Sequence, residues 1–177
     1  MAGLWVFGYG SLIWNPGFPV ADSSVARLMD WHRSFCMRSI HHRGSETDPG
    51  LVLALDHAPG AACDGVAFCV APGAEDATLA ALRERELVSA AYLEVTLPVT
   101  LRDGRTVSAL CYVIDTDHGQ YCGGLDLDDQ ARIIARAVGG RGTNRDYLFA
   151  TVDHLAGLGI ADADLGRLAT KVKSLIT

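Results

Sequence analysis

The order of its segments is the sequence feature that most constrains this fold. Short apolar or alternating runs, bounded by glycine, proline and aspartate, predict strands in the first two thirds of the chain. They occupy residues 4–7, 51–55, 65–70, 92–101 and 107–114. The final third has helical spacing instead. Strands first and helices last predict an α+β fold whose sheet is either open or rolled into a small barrel.

Helical periodicity predicts one helix among the strands and three after them. Residues 73–88 form the first, and Asp126 caps the second, which ends at the glycine pair 139–140. Residues 145–158 form the third, and Asp162 caps the last, which runs to residue 176. A chain of 177 residues then fits a single domain over residues 1–177.

Charge and hydropathy exclude several classes of partner. The formal net charge is −6, with 15 lysines and arginines against 21 aspartates and glutamates, which opposes binding to nucleic acid or an anionic membrane. No apolar run approaches the roughly 18 residues of a membrane-spanning helix, and no leader pattern opens the chain. We therefore expect a soluble, cytoplasmic protein; its oligomeric state is open.

The cysteines predict free thiols rather than disulfides or a metal site. Their number is odd and no CxxC pair occurs, and most lie in apolar runs. They are Cys36, Cys63, Cys69, Cys111 and Cys122. Neither they nor the six histidines have the tight spacing of a zinc site, so we expect no metal.

A glycine-rich loop follows the first predicted strand and indicates a small-molecule site. Gly8 and Gly10 flank Tyr9 and permit positive φ and close approach of the backbone to a ligand. Successive amides in such a loop can hold an anion. Ile13 stands where a dinucleotide fingerprint needs its third glycine, and residues 139–143 lack the Gly-Lys-Ser/Thr ending of a phosphate-binding loop.

Glu86 is the best candidate for acid–base chemistry. It lies at the predicted C-terminal end of a helix, where the helix dipole disfavours negative charge, and Leu87 and Val88 would desolvate it. Both effects raise its pKa toward the range of a general base. Glu84 belongs to a solvated charged face, and Arg85 opposes the shift if it points inward.

A hydroxyl nucleophile is the weaker alternative. Ser11 in the loop could pair with His41 or His42, but adjacent loop histidines are more often solvated or structural. The chain has no GxSxG nucleophile elbow.

Together these segments resemble the ChaC-type glutathione-specific γ-glutamylcyclotransferases over nearly the whole chain. The markers are the run from Trp5 to Trp14, His42-Arg43-Gly44, Pro49 to Leu53, Gly65 to Phe68, Arg85-Glu86 before Tyr92, and Asn144 to Leu148. The resemblance implies a small β-barrel packed with helices and cleavage of glutathione to 5-oxoproline and cysteinylglycine, with no cofactor. Where many relatives have a glycine pair before the tyrosine, this chain has Ala90-Ala91, whose methyl groups would narrow the pocket.

The resemblance implies Glu86 as the catalytic residue and residues 8–13 as the substrate-binding loop. The loop consists of Gly8, Tyr9, Gly10, Ser11, Leu12 and Ile13. Further candidates for substrate contact are Arg38, Tyr92 and Tyr147, polar residues in apolar or motif-like surroundings. Two alternatives stay open: a cyclotransferase acting on other γ-glutamyl amino acids or amines, and a non-catalytic carboxylate-binding module.

Overall fold

The computed structural model describes residues 3–87 and 91–177 and divides the chain into two compact units. The first consists of Met1–Arg33 and Ala54–Gly119, and the second of Ser34–Leu53 and Gln120–Thr177. The single domain expected over residues 1–177 stays a prediction.

Five strands form a closed barrel, which confirms the α+β prediction and decides between an open and a closed sheet. In barrel order the strands are β1, β3, β2, β4 and β5. Strand β1 pairs antiparallel with β3 and parallel with β5, and β4 and β5 form a long antiparallel hairpin. The bounds are β1 Trp5–Gly8, β2 Val20–Ser39, β3 Gly50–Val70, β4 Tyr92–Leu101 and β5 Thr106–Ile114.

The core of the first unit joins the barrel strands to helix α1, Glu75–Glu86. Its buried members come from the start of the chain, from β3, from α1 and from β5: Val6, Leu12, Val70, Leu82, Leu110 and Tyr112. Burying a Leu or Val side chain contributes about 1.5–3 kcal/mol. Leu87, which directly follows Glu86, packs against this cluster. The core therefore fixes the end of α1 where Glu86 lies.

The prediction of two strands at residues 51–55 and 65–70 is wrong, because one strand, β3, covers both. The sequence Pro59-Gly60 looks like a strand break, but Gly60 takes up the bend with a φ of +85°. Its amide donates to the carboxylate of Asp30, at 2.9 Å, and Asp30 itself has a φ of +71°. Strand β3 therefore runs without a break from Gly50 to Val70.

Three helices of the second unit pack on one another, and two of them begin at the caps that the sequence predicts. Asp126 accepts from the amide of Asp129, and Asp162 from that of Leu165. The helices are α2 Leu127–Arg136, α3 Asn144–Gly157 and α4 Ala163–Ile176. Residues 139–143, which lack the ending of a phosphate-binding loop, contribute to a small antiparallel sheet of β6, Val138–Gly139, and β7, Gly142–Thr143.

One buried side chain ties the start of β3 to α3 within the second unit. Asn144 is fully buried; its Oδ1 accepts from the Leu51 amide at 2.8 Å, and its Nδ2 donates to the Leu51 carbonyl at 2.7 Å. A side-chain amide thus satisfies both backbone groups of Leu51.

Candidate active site

Glu86 is the last residue of α1, and its carboxyl is largely buried. Its side chain is 16% exposed. Burial raises the pKa of Glu86, and the positive charge of Arg85 opposes that rise. The predicted direction is confirmed. Val88, one of the two residues expected to desolvate Glu86, lies outside the described residues, while Leu87 lies on the core of the first unit.

Arg85 connects the glycine-rich loop to Glu86. Its Nη1 donates to the Asn15 carbonyl at 2.7 Å and its Nη2 to Ser11 Oγ at 3.0 Å, while its Nε lies 3.5 Å from Glu86 Oε1. The structure thus brings together Ser11 and Glu86, the loop and base proposed from sequence. Because Ser11 Oγ accepts from the guanidinium, its hydroxyl hydrogen is left to donate to another group.

The loop uses one of its candidate amides internally. After β1 ends at Gly8, residues Ser11–Ile13 form a single 3-10 turn in which the Ile13 amide donates to the Gly10 carbonyl at 2.9 Å. The first amides of a helical turn have no acceptor inside that turn. The backbone amides that could hold a substrate anion are therefore those of Gly10, Ser11 and Leu12. The loop's role in binding stays a prediction.

The glycines of the loop do not use the positive φ that glycine permits. Gly10 has a φ of −140°, and Gly8 is not among the glycines with positive φ. Close packing explains Gly8 better, because a Cβ there would lie 3.1 Å from Leu12 Cβ and 3.3 Å from the Phe68 ring.

A buried arginine that sequence reasoning missed holds the loop through a hydrogen bond to its backbone. Arg33 is 4% exposed and donates from Nη1 to the carbonyls of Tyr9, at 3.0 Å, and Asp64, at 2.9 Å. The Tyr9 residue is itself buried, at 8% exposed. Strand β2 contains three arginines, Arg27, Arg33 and Arg38, and nothing in the local sequence singles out Arg33 as the buried one.

A second missed group lies near Glu86 on the β4–β5 hairpin. The Tyr112 hydroxyl donates to Glu94 Oε1 at 2.9 Å, and Glu94 also binds Arg83 through two hydrogen bonds of 3.0 Å. Burial raises the pKa of Tyr112, as do its bond to Glu94 and the negative charges of Glu94 and Glu86. Glu86 therefore acts electrostatically on a buried phenol.

The three secondary candidates differ in their surroundings. Tyr92 opens β4 and packs, half-buried, on the first unit's core. Arg38 and Tyr147 belong to the second unit. The Arg38 side chain is exposed; the Tyr147 ring packs edge-on against Phe35 at 5.9 Å and lies under the Arg43 guanidinium at 5.4 Å. Substrate contact by all three stays a prediction.

The alternative pair of a hydroxyl nucleophile and a histidine base has less support in the structure. Burial, with the charge of Arg141 and its neighbours, lowers the pKa of His42, and Ser11 Oγ already accepts from Arg85. The pocket effect expected from Ala90-Ala91 concerns Ala90, which lies outside the described residues. Within residues 3–87 and 91–177, no three His, Cys, Asp or Glu side chains are grouped to hold a metal ion, and no helix could span a membrane.

Comparison with known proteins places these features in a family. The sequence pattern of the family described as ChaC-like protein matches residues 4–175. The chain belongs to the ChaC-like family. The matched range includes both the loop and Glu86.

Two relatives of the chain are named as γ-glutamylcyclotransferases. The chain is 38% identical over 173 residues to the glutathione-specific γ-glutamylcyclotransferase of Escherichia coli (strain K12), covering 98% of this chain and 74% of that protein. It is 33% identical over 180 residues to γ-glutamylcyclotransferase 2-3 of Arabidopsis thaliana, covering 98% and 90%.

A solved structure shares the fold of this ChaC-like chain. The crystal structure of a glutathione-specific γ-glutamyl cyclotransferase from yeast aligns with a TM-score of 0.88 at 23% identity, covering 98% of this chain and 97% of that one. This similarity confirms the barrel with packed helices.

Proposed function

We propose that this chain is a glutathione-specific γ-glutamylcyclotransferase, which converts glutathione to 5-oxoproline and cysteinylglycine. The observation that carries the proposal is the pairing of a buried carboxyl of raised pKa, Glu86, with an amide-rich loop, joined by the three contacts of Arg85. The names of its relatives in the ChaC-like family support the same reaction.

The reaction supplies its own nucleophile. The α-amine of the γ-glutamyl group attacks the γ-carbonyl carbon, a C–N bond closes the five-membered ring, and the amide bond to the cysteinyl nitrogen breaks. Since both reacting groups belong to one molecule, the enzyme's task is to fold the glutamyl chain and move protons. The proposed enzyme is therefore a lyase that needs no cofactor, metal or side-chain nucleophile.

Glu86 is proposed as the group that moves the protons. As a carboxylate it removes a proton from the substrate ammonium, and as a carboxylic acid it returns that proton to the departing cysteinyl nitrogen. The ring nitrogen loses its second proton to solvent as the lactam forms, and the released amine takes one up from solvent. Both steps need a group that exchanges protons near neutral pH, and a pKa raised by burial brings a carboxyl closer to that range.

The loop is proposed to hold an anion of the substrate, either the α-carboxylate of the glutamyl group or the oxyanion formed at its γ-carbonyl. The amides of Gly10, Ser11 and Leu12 would be the donors, together with the Ser11 hydroxyl that Arg85 leaves free to donate. Gly8, Tyr9 and Ile13 shape the loop, and Arg38, Tyr92 and Tyr147 are proposed as further substrate contacts.

We place the enzyme in the cytoplasm. None of the five cysteines is joined in a disulfide, as expected of a reducing compartment.

Product analysis tests the proposed function directly. The purified chain should release 5-oxoproline and cysteinylglycine from glutathione in equal amounts, measured by mass spectrometry. Glutathione acetylated on its α-amine is the matched control, because it lacks the nucleophile and should yield neither product. Free glutamate in place of 5-oxoproline would mean hydrolysis and overturn the mechanism. Faster release from other γ-glutamyl amino acids or amines would overturn the substrate assignment alone.

A further inference from the structure

Two cysteines of the second unit lie opposite each other across an antiparallel bridge. The bridge joins Met37 to Tyr121. On one side of it the Arg38 amide donates to the Gln120 carbonyl at 2.7 Å, and on the other the Cys122 amide donates to the Cys36 carbonyl, also at 2.7 Å. These two bonds flank the bridge, so the residue before Met37 faces the residue after Tyr121.

Opposed residues of an antiparallel pair present their side chains on the same face. Their Cα atoms lie about 5.5 Å apart when they share a backbone hydrogen bond, within the roughly 4.4–6.8 Å that a disulfide spans. Their Cβ atoms lie about 4.5–5.5 Å apart, whereas a disulfide holds them at about 3.8 Å. The register of Cys36 and Cys122 thus permits a bond after a closing movement on the order of 1 Å.

The chain around Cys122 can accommodate such a movement. Cys122 lies one residue beyond the bridge and outside any regular element, and Gly123-Gly124 follows it, with Gly124 at a φ of +89°. Cys122 is partly exposed, whereas Cys36 is 1% exposed. An external reagent therefore meets Cys122 first, and Cys36 is placed to react from within.

We propose that Cys36 and Cys122 form a reversible disulfide, with a small-molecule disulfide such as glutathione disulfide as the oxidant. The Cys122 thiolate attacks one sulfur of the reagent; the reagent's S–S bond breaks and its other half leaves as a thiol after taking up a proton. The Cys36 thiolate then attacks Cys122 Sγ and releases the second half. Two protein thiols are oxidised, and one external disulfide is reduced to two thiols.

The same geometry makes the bond easy to reduce. A disulfide that must pull its Cβ atoms inward stores strain, and strained disulfides have the more oxidising potentials of labile, regulatory bonds. Burial raises the pKa of Cys122, against the charge of Arg38, so its thiolate is scarce and exchange is slow at neutral pH. The test therefore runs for hours at mildly alkaline pH.

The other buried thiols are poorly placed for this chemistry. Cys63 and Cys111, in the first unit, are 2% and 0% exposed, and burial raises the pKa of Cys111 to about 12. They serve as internal controls.

Cystamine, with cysteamine as its reduced form, is the probe, because it lacks a γ-glutamyl group and gives a result independent of the proposed function. Folded protein is equilibrated in mixtures of cystamine and cysteamine and quenched with acid. It is then digested, without reduction, by a protease that cleaves on the N-terminal side of aspartate. Cleavage at Asp30, Asp48, Asp117 and Asp126 puts each cysteine of the pair in a peptide of its own. We expect a linked 36–122 peptide and an intact mass lower by two hydrogens, both reversed by excess cysteamine.

Variants decide the order of the steps. Cys36→Ser should trap one cysteamine on Cys122, Cys122→Ser should leave Cys36 unmodified, and Cys63→Ser should behave as the unchanged chain. Circular dichroism before quenching confirms that each variant is folded. Folded protein that never yields the linked peptide, or yields it only in urea, would overturn the proposal. A link between Cys63 and Cys111 in its place would also overturn it.

Discussion

Replacing Arg85 with glutamine should shift the pH dependence of turnover, because it removes the positive charge beside the proposed base. Opposite unit charges 3.5 Å apart attract by about 1 kcal/mol in water and by about 5 kcal/mol at an effective dielectric constant of about 20. Arg85 and Glu86 both retain some solvent contact, and the guanidinium charge is delocalised. We therefore expect an attraction between them of about 1.4–2.7 kcal/mol, which corresponds to about one to two pKa units.

The sign of the shift follows from which form of Glu86 works. Arg85 favours the carboxylate, so its loss raises the pKa of Glu86 further. Since only the carboxylate accepts the substrate's proton, the acid side of the kcat/KM profile should move to higher pH by about one to two units.

The assay follows 5-oxoproline release from glutathione between about pH 5 and 9 for three variants. Arg85→Lys keeps a charge but loses the planar fork that binds Ser11 and Asn15, so it should raise KM by about tenfold or more with little shift of the acid side. Arg105→Gln, which breaks an exposed pair with Asp103, is the control and should change neither. Identical shifts in the two Arg85 variants would show that loop disorder, not charge, is responsible; no shift in either would refute the coupling.

Three further predictions concern stability. Glu86→Gln should raise the melting temperature at about pH 8 more than at about pH 5, because burial raises the pKa of the carboxyl above its ordinary 4.5 and stability is lost as pH rises through the folded pKa; an equal change at both pH values contradicts this. Asn144→Ala should lower the free energy of unfolding by about 2–5 kcal/mol in urea titrations, since two buried backbone groups of Leu51 lose their partner; a change under about 1 kcal/mol would contradict it. Asp162→Ala should cost about 1 kcal/mol through loss of the α4 cap, measured the same way, and no loss would show that the cap is dispensable.

Local rules account for what the sequence predicts correctly. Asp126 and Asp162 cap helices because the bond runs only three residues along the chain. The alternation in residues 92–101 gives β4 its bounds, because a strand with one buried face needs apolar residues at every second position.

Long-range contacts account for the misses. The bend at Gly60 stays within a strand because Asp30, thirty residues away, binds its amide. Arg33 donates to the carbonyls of Tyr9 and Asp64, which lie 24 and 31 residues away in the sequence, and no local pattern predicts these bonds. In the site, Glu86 was recognisable by position and motif, but the bond from Arg85 to Ser11 spans 74 residues and required the fold.

The most direct test of the proposed mechanism compares two carboxylates of the same helix. Glu86→Gln should lower 5-oxoproline release from saturating glutathione by about 10²–10⁴-fold while retaining glutathione binding in calorimetry. Glu84→Gln, two residues earlier on an exposed position, should leave the rate unchanged. Undiminished 5-oxoproline release by the Glu86 variant would contradict the assignment of Glu86 as the group that moves the protons.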